Sequence, residues 1–377
     1  AAVYRLTRTG RTVPRLDGSF NFEGEAMMKN HPRSSRRISG PGICLAAMLA
    51  LAATPAAAGA DEVRGWILGL DLALTQPGGL DQEYAFQADF LALPYPGRRH
   101  LLDNDPSATF RVTGGYCFGL DLGSLQVSYW GFDNDDSRSN LLSGYVYPTV
   151  FGYGYYGFVG AYLSGPDGVK TQAESSVQAT SLDVDYSRAL DVGSNFTFRW
   201  LAGLRSVTFE EELTFDGSAT DWLGYDYSIT QMRHMDSSAF GVKVGGRGSF
   251  GFTKRFSLEG GLAVSLLLAD IEGDSSQAVV SNHPTTPLDL SWVSRAEGES
   301  DRGQILDLDL KATWTEGPLS VYLGYSASSW EGLVRDPNPP RSTLYPSIAG
   351  RGRDSVSFSG INVGIVYRFG ARRLAAP

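Results

Sequence analysis

The residues of this sequence that could carry chemistry are charged side chains that recur at every second position. Asp183 and Asp185 form one such pair, and Asp307 and Asp309 form another. Residues two apart on a β-strand lie on the same face of the sheet. Charges of both signs that face an enclosed interior can line a polar conduit for ions, or they can neutralise one another as cross-strand ion pairs.

In each predicted strand the polar side chains lie on the face opposite the apolar residues. This placement is expected if the apolar face contacts lipid, because Arg or Lys facing the bilayer midplane costs about 2–4 kcal/mol. The sequence leaves both interpretations open, a conduit and a lumen filled by ion pairs such as Asp183 or Asp185 with Arg199 or Arg205. The candidate lumen-lining residues are Asp71, Arg111, Gln126, Asp183, Asp185, Arg199, Arg205, Lys243, Arg247, Glu259, Asp307, Asp309, Lys311, Asn362 and Arg368.

Catalysis would need a nucleophile with a base, or a metal site, and neither pattern is present. Residues 61–377 contain three histidines, His100, His234 and His283, all in predicted loops. His234 lies near Asp236, but such pairs arise easily by composition, and Glu210–Glu212 is more typical of a solvated rim than of a metal site. No CxxC, HExxH, GxSxG or P-loop pattern occurs. The sequence predicts no enzyme, and no catalytic, cofactor-binding or metal site.

The elements that would position the charged residues are strands in which apolar and polar residues alternate. In residues 64–75 the even positions from Trp66 onward are large and apolar, whereas the odd positions are small or polar except for Ile67. The same alternation recurs in 108–118, 181–186, 195–205, 254–269, 304–314 and 355–369. Aromatic residues near the predicted strand ends would form girdles at the two membrane interfaces: Trp66, Tyr116, Tyr129, Trp200, Phe256, Trp314, Tyr325 and Trp330.

The lengths of the connections also alternate, which favours one topology. Short links are predicted at 119–123, 189–194, 251–253 and 316–318, and long polar links at 76–107, 133–174, 213–236, 271–302 and 332–354. Short turns on one side, long loops on the other and an even strand count are typical of outer-membrane barrels. The predicted fold is an all-β, transmembrane, antiparallel up-and-down barrel of ten strands.

Twelve strands are the alternative, because two of the long links are apolar enough to pair. Residues 82–93 alternate around aromatic positions, and residues 141–163 are rich in Tyr, Gly and Val. Either segment could instead extend strands above the membrane or fold inward as a constriction.

The segment before the first strand predicts export. Residues 27–60 combine a basic stretch, a short apolar run and a small-residue cleavage site, which is the pattern of a secretory signal cut between Ala60 and Asp61. Residues 1–26 lie upstream of this complete signal and are interpreted as a mis-called start. The mature chain would then be a single barrel domain, residues 61–377.

Composition excludes several classes of protein. A mean hydropathy of −0.15 is too polar for a helical membrane protein, and 44 aromatic residues argue against disorder. Residues 61–377 contain 24 basic and 38 acidic residues, a net charge of −14, so nucleic acid is not an expected partner. Cys117 is the sole cysteine of this part, which therefore forms no internal disulfide.

Several stretches resemble the Legionella-type pore-forming outer membrane proteins. The most specific is FRWLAGLR (198–205), within the strand-turn-strand segment 182–213; residues 65–77, 110–135, 240–274 and the closing strand also resemble the family. The resemblance implies a pore-forming barrel in the outer membrane of a Gram-negative bacterium and supplies no catalytic residues. A last strand ending at Tyr367 and Phe369 resembles the signal read by the outer-membrane assembly machinery.

The functional expectation is narrow passive passage of ions or small solutes, with cations preferred because of the net charge. The alternative is a non-conducting structural barrel, or a surface-binding protein that acts through the Tyr- and Gly-rich loop 144–162. The expected partners are outer-membrane lipid and lipopolysaccharide, periplasmic chaperones and the barrel assembly machinery.

Overall fold

The computed structural model describes residues 64–79, 82–88, 97–102, 104–119, 122–148, 163–191, 195–282, 288–297, 301–334 and 355–370. The predicted upstream segment, signal peptide and cleavage site between Ala60 and Asp61 lie outside these ranges. The described residues form fourteen strands: β1 (Gly65–Gly78), β2 (Gln82–Ala88), β3 (Gly97–Leu102), β4 (Ser107–Gly119), β5 (Gly123–Leu142), β6 (Tyr145–Pro148), β7 (Val169–Asp191), β8 (Phe196–Thr220), β9 (Asp226–Gly251), β10 (Phe256–Ser281), β11 (Leu288–Glu297), β12 (Asp301–Glu316), β13 (Leu319–Glu331) and β14 (Ser355–Phe369). No helix in these ranges is long and apolar enough to cross a membrane.

Ten of these strands close into an antiparallel barrel, which confirms the predicted fold and strand count. The ring runs β1-β4-β5-β7-β8-β9-β10-β12-β13-β14, and β14 pairs with β1 from Trp66↔Phe369 to Gly78↔Ser357. Closure pairs the backbone of both terminal strands, so this ring has no exposed sheet edge. β11 pairs only with the outer part of β10.

The described parts of the two segments that suggested twelve strands add no further strand to the barrel. Part of the first segment forms β2 and part of the second forms β6, and both belong to a separate sheet in the order β3-β2-β6. Tyr84 and Val146 of this small sheet are fully buried in one apolar cluster with Leu213 and Phe215 of β8. The small sheet thus packs against the inner face of the barrel wall.

The lipid-facing band follows directly from the period of two. Leu70, Leu266 and Ile365 are large, apolar and exposed, because they point away from the barrel interior. At the short-turn side the band ends in paired aromatics, with Trp66 opposite Tyr116 and Phe256 opposite Trp314. Trp330 was predicted to belong to a girdle, and this is wrong, because the side chain points inward and is 2% exposed.

Four strands continue far beyond the lipid band with the polarity of their faces exchanged. In β8, the outward Leu204 is exposed, whereas Val207 and Phe209, which have the opposite parity, are buried. Polar residues such as Glu210 then take the outward positions. The exchange marks the level at which lipid gives way to water outside the barrel and the interior becomes apolar.

This continuation shortens the predicted long links. Residues 213–236 are paired strand except for 221–225, which connect β8 and β9. The outer parts of β7 and β10 likewise take up residues assigned from the sequence to loops. The sequence prediction read polar outward residues as loop because it assumed one polarity for the whole strand.

A substitution pair tests the position of the lipid band. Leu70→Arg places a charge in the middle of the outward apolar row of β1 and is expected to lower the free energy of unfolding in lipid vesicles by about 2–4 kcal/mol. Gln178→Arg, at an exposed outward position of β7 beyond the exchange of polarity, should change it little. Urea titration followed by heat-modifiable gel mobility measures both, and equal losses would contradict this placement of the bilayer.

The small sheet β3-β2-β6 should become less stable in mild acid, because His100 of β3 is then protonated. Its Nε2 lies 3.0 Å from Oε1 of Gln87, and burial, followed by the charges of Arg98 and Arg138, holds the pKa of His100 below its usual value. Because the folded state resists protonation, stability of the sheet is full above the unfolded pKa, about 6.5, and falls as the pH drops below it.

Hydrogen exchange in residues 97–102, corrected for intrinsic rates, is therefore expected to show more opening at about pH 5 than at about pH 7.5. His100→Gln has no titrating ring and should abolish the difference. The same pH dependence in this variant would assign the effect to another group.

Candidate functional site

The barrel interior holds a cavity of about 580 Å³ that all ten barrel strands surround. Fourteen of the fifteen candidate lumen-lining side chains surround it, and the fifteenth, Asn362, is buried on the inward face of β14. The cavity extends from Trp330 to Arg368 and Thr197, which are among the last inward positions before the short turns. Its basic side chains are Arg111, Arg199, Arg205, Lys243, Arg247, Lys311 and Arg368; its acidic ones are Asp71, Asp183, Asp185, Glu259, Asp307 and Asp309.

Five of these charges form one buried ion network. Arg205 donates from Nε and Nη2 to the two carboxylate oxygens of Asp183, at 2.7 and 2.8 Å. Lys243 Nζ donates to Asp183 at 2.7 Å and to Asp185 at 2.8 Å. Arg205 Nη1 also lies 2.6 Å from Oδ2 of Asp307. Bidentate, charge-assisted geometry of this kind is the strong form of the ion pair.

The strand register brings this network together. Asp183 and Arg205 are directly opposite on β7 and β8, and the network reaches Asp307 on β12, which is separated from β8 by β9 and β10 in the ring. Opposite Asp185 the chain has Gly203, where a Cβ would overlap the Asp185 carboxylate and the backbone. The glycine leaves the space that the second carboxylate occupies.

The remaining cavity charges have a different environment. Among the residues that the structure describes, Asp71, Arg111, Asp309 and Lys311 have no ion partner within 4.0 Å. Asp71 and Arg111 are opposite each other in the β1–β4 register, and Lys311 Nζ lies 4.6 Å from the centroid of the Tyr322 ring. Charges spaced around an open cavity in this way can be stabilised by water.

An aromatic layer closes the cavity on the side away from the short turns. The Trp130 and Trp330 rings have centroids 6.0 Å apart, and Phe358 lies 5.3 Å from Trp130 and 5.2 Å from Trp330. Trp130 is on β5 and Trp330 on β13, with three strands between them, so the rings meet across the lumen. Phe132 and Phe209 extend the same buried apolar cluster.

The two layers are joined by hydrogen bonds. Trp330 Nε1 donates to Ser328 Oγ at 2.8 Å, and Ser328 Oγ donates to Oδ1 of Asp307 at 2.7 Å. Asp307 is therefore shared between the ion network and the aromatic layer. The sequence prediction missed this layer, although the parity of Trp130, two residues from the inward Ser128, was a usable signal.

The weaker sequence candidates do not converge. His234 and Asp236 lie on the outward face of β9, opposite Glu212 and Glu210. Glu211 instead points inward, is 1% exposed, and accepts a 2.6 Å bond from Arg233 Nη2. Within the described ranges no three His, Cys, Asp or Glu residues are grouped to hold a metal ion. His283 lies outside those ranges, and His100 is in β3 rather than in a loop.

Tyr367 and Phe369 close the last strand on its outward face. Their rings are 4.5 Å apart in an edge-to-face arrangement, and β14 ends at Phe369. Their recognition by the assembly machinery stays a prediction. Gln126, another predicted inward residue, lines the cavity from β5.

Comparison with solved structures finds outer-membrane barrels. The chain is similar to the outer membrane protease OmpT of Escherichia coli, at 11% identity, 81% coverage of this chain, 97% of that chain and a TM-score of 0.41. It is also similar to a Pseudomonas aeruginosa FadL homologue, at 10% identity, 82% coverage of this chain, 91% of that chain and a TM-score of 0.23. The corresponding values for the Pseudomonas putida toluene transporter TodX are 9% identity, 86% coverage of this chain, 93% of that chain and a TM-score of 0.26. TM-scores below 0.5 support no functional inference.

No curated protein matches the chain. The sequence profile of the family described as "Legionella pneumophila major outer membrane protein precursor" matches residues 60–369, which is nearly the whole barrel. That match agrees with the resemblance found in the sequence, and it places the protein in the bacterial outer membrane. The chain belongs to the Legionella major outer membrane protein family.

Proposed function

We propose that the protein forms a narrow pore for ions or small solutes, closed at the aromatic layer in the conformation described here. The observation that carries the proposal is the charged cavity, in which Asp71, Arg111, Asp309 and Lys311 face open space without ion pairs within 4.0 Å. A lumen filled only for stability would be expected to pair its charges, because unpaired charges away from bulk water are costly.

The aromatic layer explains how a polar cavity can belong to a closed pore. Hydrophobic constrictions gate channels by excluding water. Trp130, Trp330 and Phe358 form such a constriction directly beside the charged cavity. Ten strands enclose an interior nearer to the filled eight-stranded barrels than to the wide porins, which limits the solute to a small one.

The interior charge gives no basis for the cation preference expected from the net charge. Basic and acidic side chains are nearly balanced around the cavity. Acidic residues accumulate instead on the outward faces beyond the lipid band, for example Glu210, Asp236 and Glu272, which are paired in the β8–β9 and β9–β10 registers. The proposed pore therefore carries no cation preference of its own.

A structural barrel is the second candidate, favoured by the cross-lumen network and by the inner sheet. Arg205 and Lys243 connect three acidic residues of two strands through the interior, and two apolar clusters fill its outer part. The surface-binding alternative depends on the Tyr- and Gly-rich segment 144–162, most of which lies outside the described residues.

Single-channel recording separates the two candidates. Trp130→Ala combined with Trp330→Ala removes the rings that meet across the lumen and is expected to raise conductance severalfold over the wild-type protein in planar bilayers. Trp200→Ala, a change of the same type on the lipid-facing side of β8, should leave conductance unchanged. Folded double-variant protein that stays silent, as judged by heat-modifiable mobility, would support the structural barrel instead.

Substitution of two aspartates distinguishes charges that stabilise the fold from charges that line a conduit. Asp183→Asn leaves Arg205 and Lys243 without their shared carboxylate and is expected to lower the free energy of unfolding by about 3–5 kcal/mol. Asp309→Asn breaks no ion pair within 4.0 Å and should cost much less stability, while changing the conductance of the opened Trp130/Trp330 variant. Equal stability losses would show that the two groups of charges have the same role.

A further inference from the structure

The end of the cavity nearest the short turns has an excess of arginine. Arg199 of β8 and Arg247 of β9 are directly opposite in register, and both line the cavity. Arg368 of β14 faces them from the opposite wall, five strands away around the ring, and lies within electrostatic range of Arg199. Glu259 of β10 lies two residues nearer the short turn, and Asp309 of β12 lies in the Arg199–Arg247 register across Gly261. We call Arg199, Arg247, Arg368 and Glu259 the arginine mouth; the charges of these four side chains sum to plus two.

Neutralisation within the arginine mouth is incomplete, because Glu259 is its one acidic member against three arginines. Like charges directly opposite each other on neighbouring strands are destabilising. Within the described part of the chain, no carboxylate oxygen lies within 4.0 Å of Arg199, Arg247 or Arg368. Arg368 Nη1 donates to Ser320 Oγ at 3.4 Å. The hydroxyl residues Thr197 and Ser249, paired in the same register, line the cavity beside the arginine pair.

We propose that the arginine mouth binds a soluble oxyanion of the phosphate class. Guanidinium groups present planar, two-pronged donors that match phosphate oxygens. A phosphate ester at neutral pH carries about −1.5 to −2 charges, close to the excess at the mouth. The site lies inside the barrel rather than on the lipid-facing wall, so the ligand arrives from the aqueous side.

The short turns place this site at the periplasmic end. The ligand therefore comes from the periplasm, either as inorganic phosphate or as the phosphate group of a small solute. Binding does not require the aromatic layer to open, so the site is independent of whether the barrel conducts.

Cys117 provides a built-in reporter. It lines the same cavity on β4 and lies within electrostatic range of Arg199. Cys44 is the other cysteine of the chain, so a Cys44→Ser background leaves a single thiol. Methanethiosulfonate reagents of similar size and opposite charge can then measure the electrostatic potential at the mouth.

The experiment compares the rates at which an anionic sulfonatoethyl and a cationic trimethylammonioethyl reagent modify Cys117 in the folded protein. The anionic reagent is expected to react at least about tenfold faster, since clefts of one charge concentrate counter-ions about 10- to 10³-fold. Inorganic phosphate should slow the anionic reagent in a saturable way, whereas chloride at the same ionic strength should not.

Arg199→Gln combined with Arg247→Gln should abolish both the preference and the protection. Arg188→Gln is the matched control, because Arg188 lies at the same end of β7 but on the outward face, and it should change neither. Equal rates for the two reagents, a cationic preference, no modification of folded protein, or phosphate protection that survives the double substitution would each overturn the proposal.

Discussion

The structure depends on the requirement that every backbone N–H and C=O within the hydrocarbon layer be satisfied by the protein itself. A single ring of antiparallel ladders, closed between β1 and β14, meets this requirement. Once the ring is closed, each strand has one face toward lipid and one toward the interior. Within the lipid band, parity then decides the face on which each side chain lies, and charged side chains take interior positions because they are costly against the bilayer.

Within that ring the interior is organised by depth. The arginine-rich end lies next to the short turns, the Asp183 network lies deeper along β8, and the aromatic layer follows it. Asp307 connects the last two, because it accepts from Arg205 on one oxygen and from Ser328 on the other. A continuous chain of hydrogen bonds therefore connects the charge network to the Trp330 ring, which forms part of the aromatic layer.

The alternation of the sequence, together with the alternating lengths of its connections, was sufficient for the number of strands in the barrel, and within the lipid band it puts neighbouring residues on opposite sides of the wall. Arg205, next to the outward Leu204, is an example. The exchange of faces beyond the lipid band could also be predicted from Val207 and Phe209, provided that the apolar face of one strand is permitted to change sides along its length. The contact between Trp130 and Trp330 could not be predicted from the sequence, because it depends on the register of each of the strand pairs that lie between β5 and β13 in the ring.

The unequal lengths of the strands have a consequence for what meets the cell surface. β8, β9 and β10 contain 25, 26 and 26 residues, whereas β4, β13 and β14 contain 13, 13 and 15. At about 3.3 Å per residue the difference is about 35–40 Å along the strand. Among the described strands, the outer end of the barrel wall is therefore higher on the side of β8, β9 and β10 than on the side of β4, β13 and β14. The longer strands present acidic residues such as Glu210, Asp236 and Glu272 on their outward faces beyond the lipid band, so the charged outer surface of the described barrel lies mainly on one side.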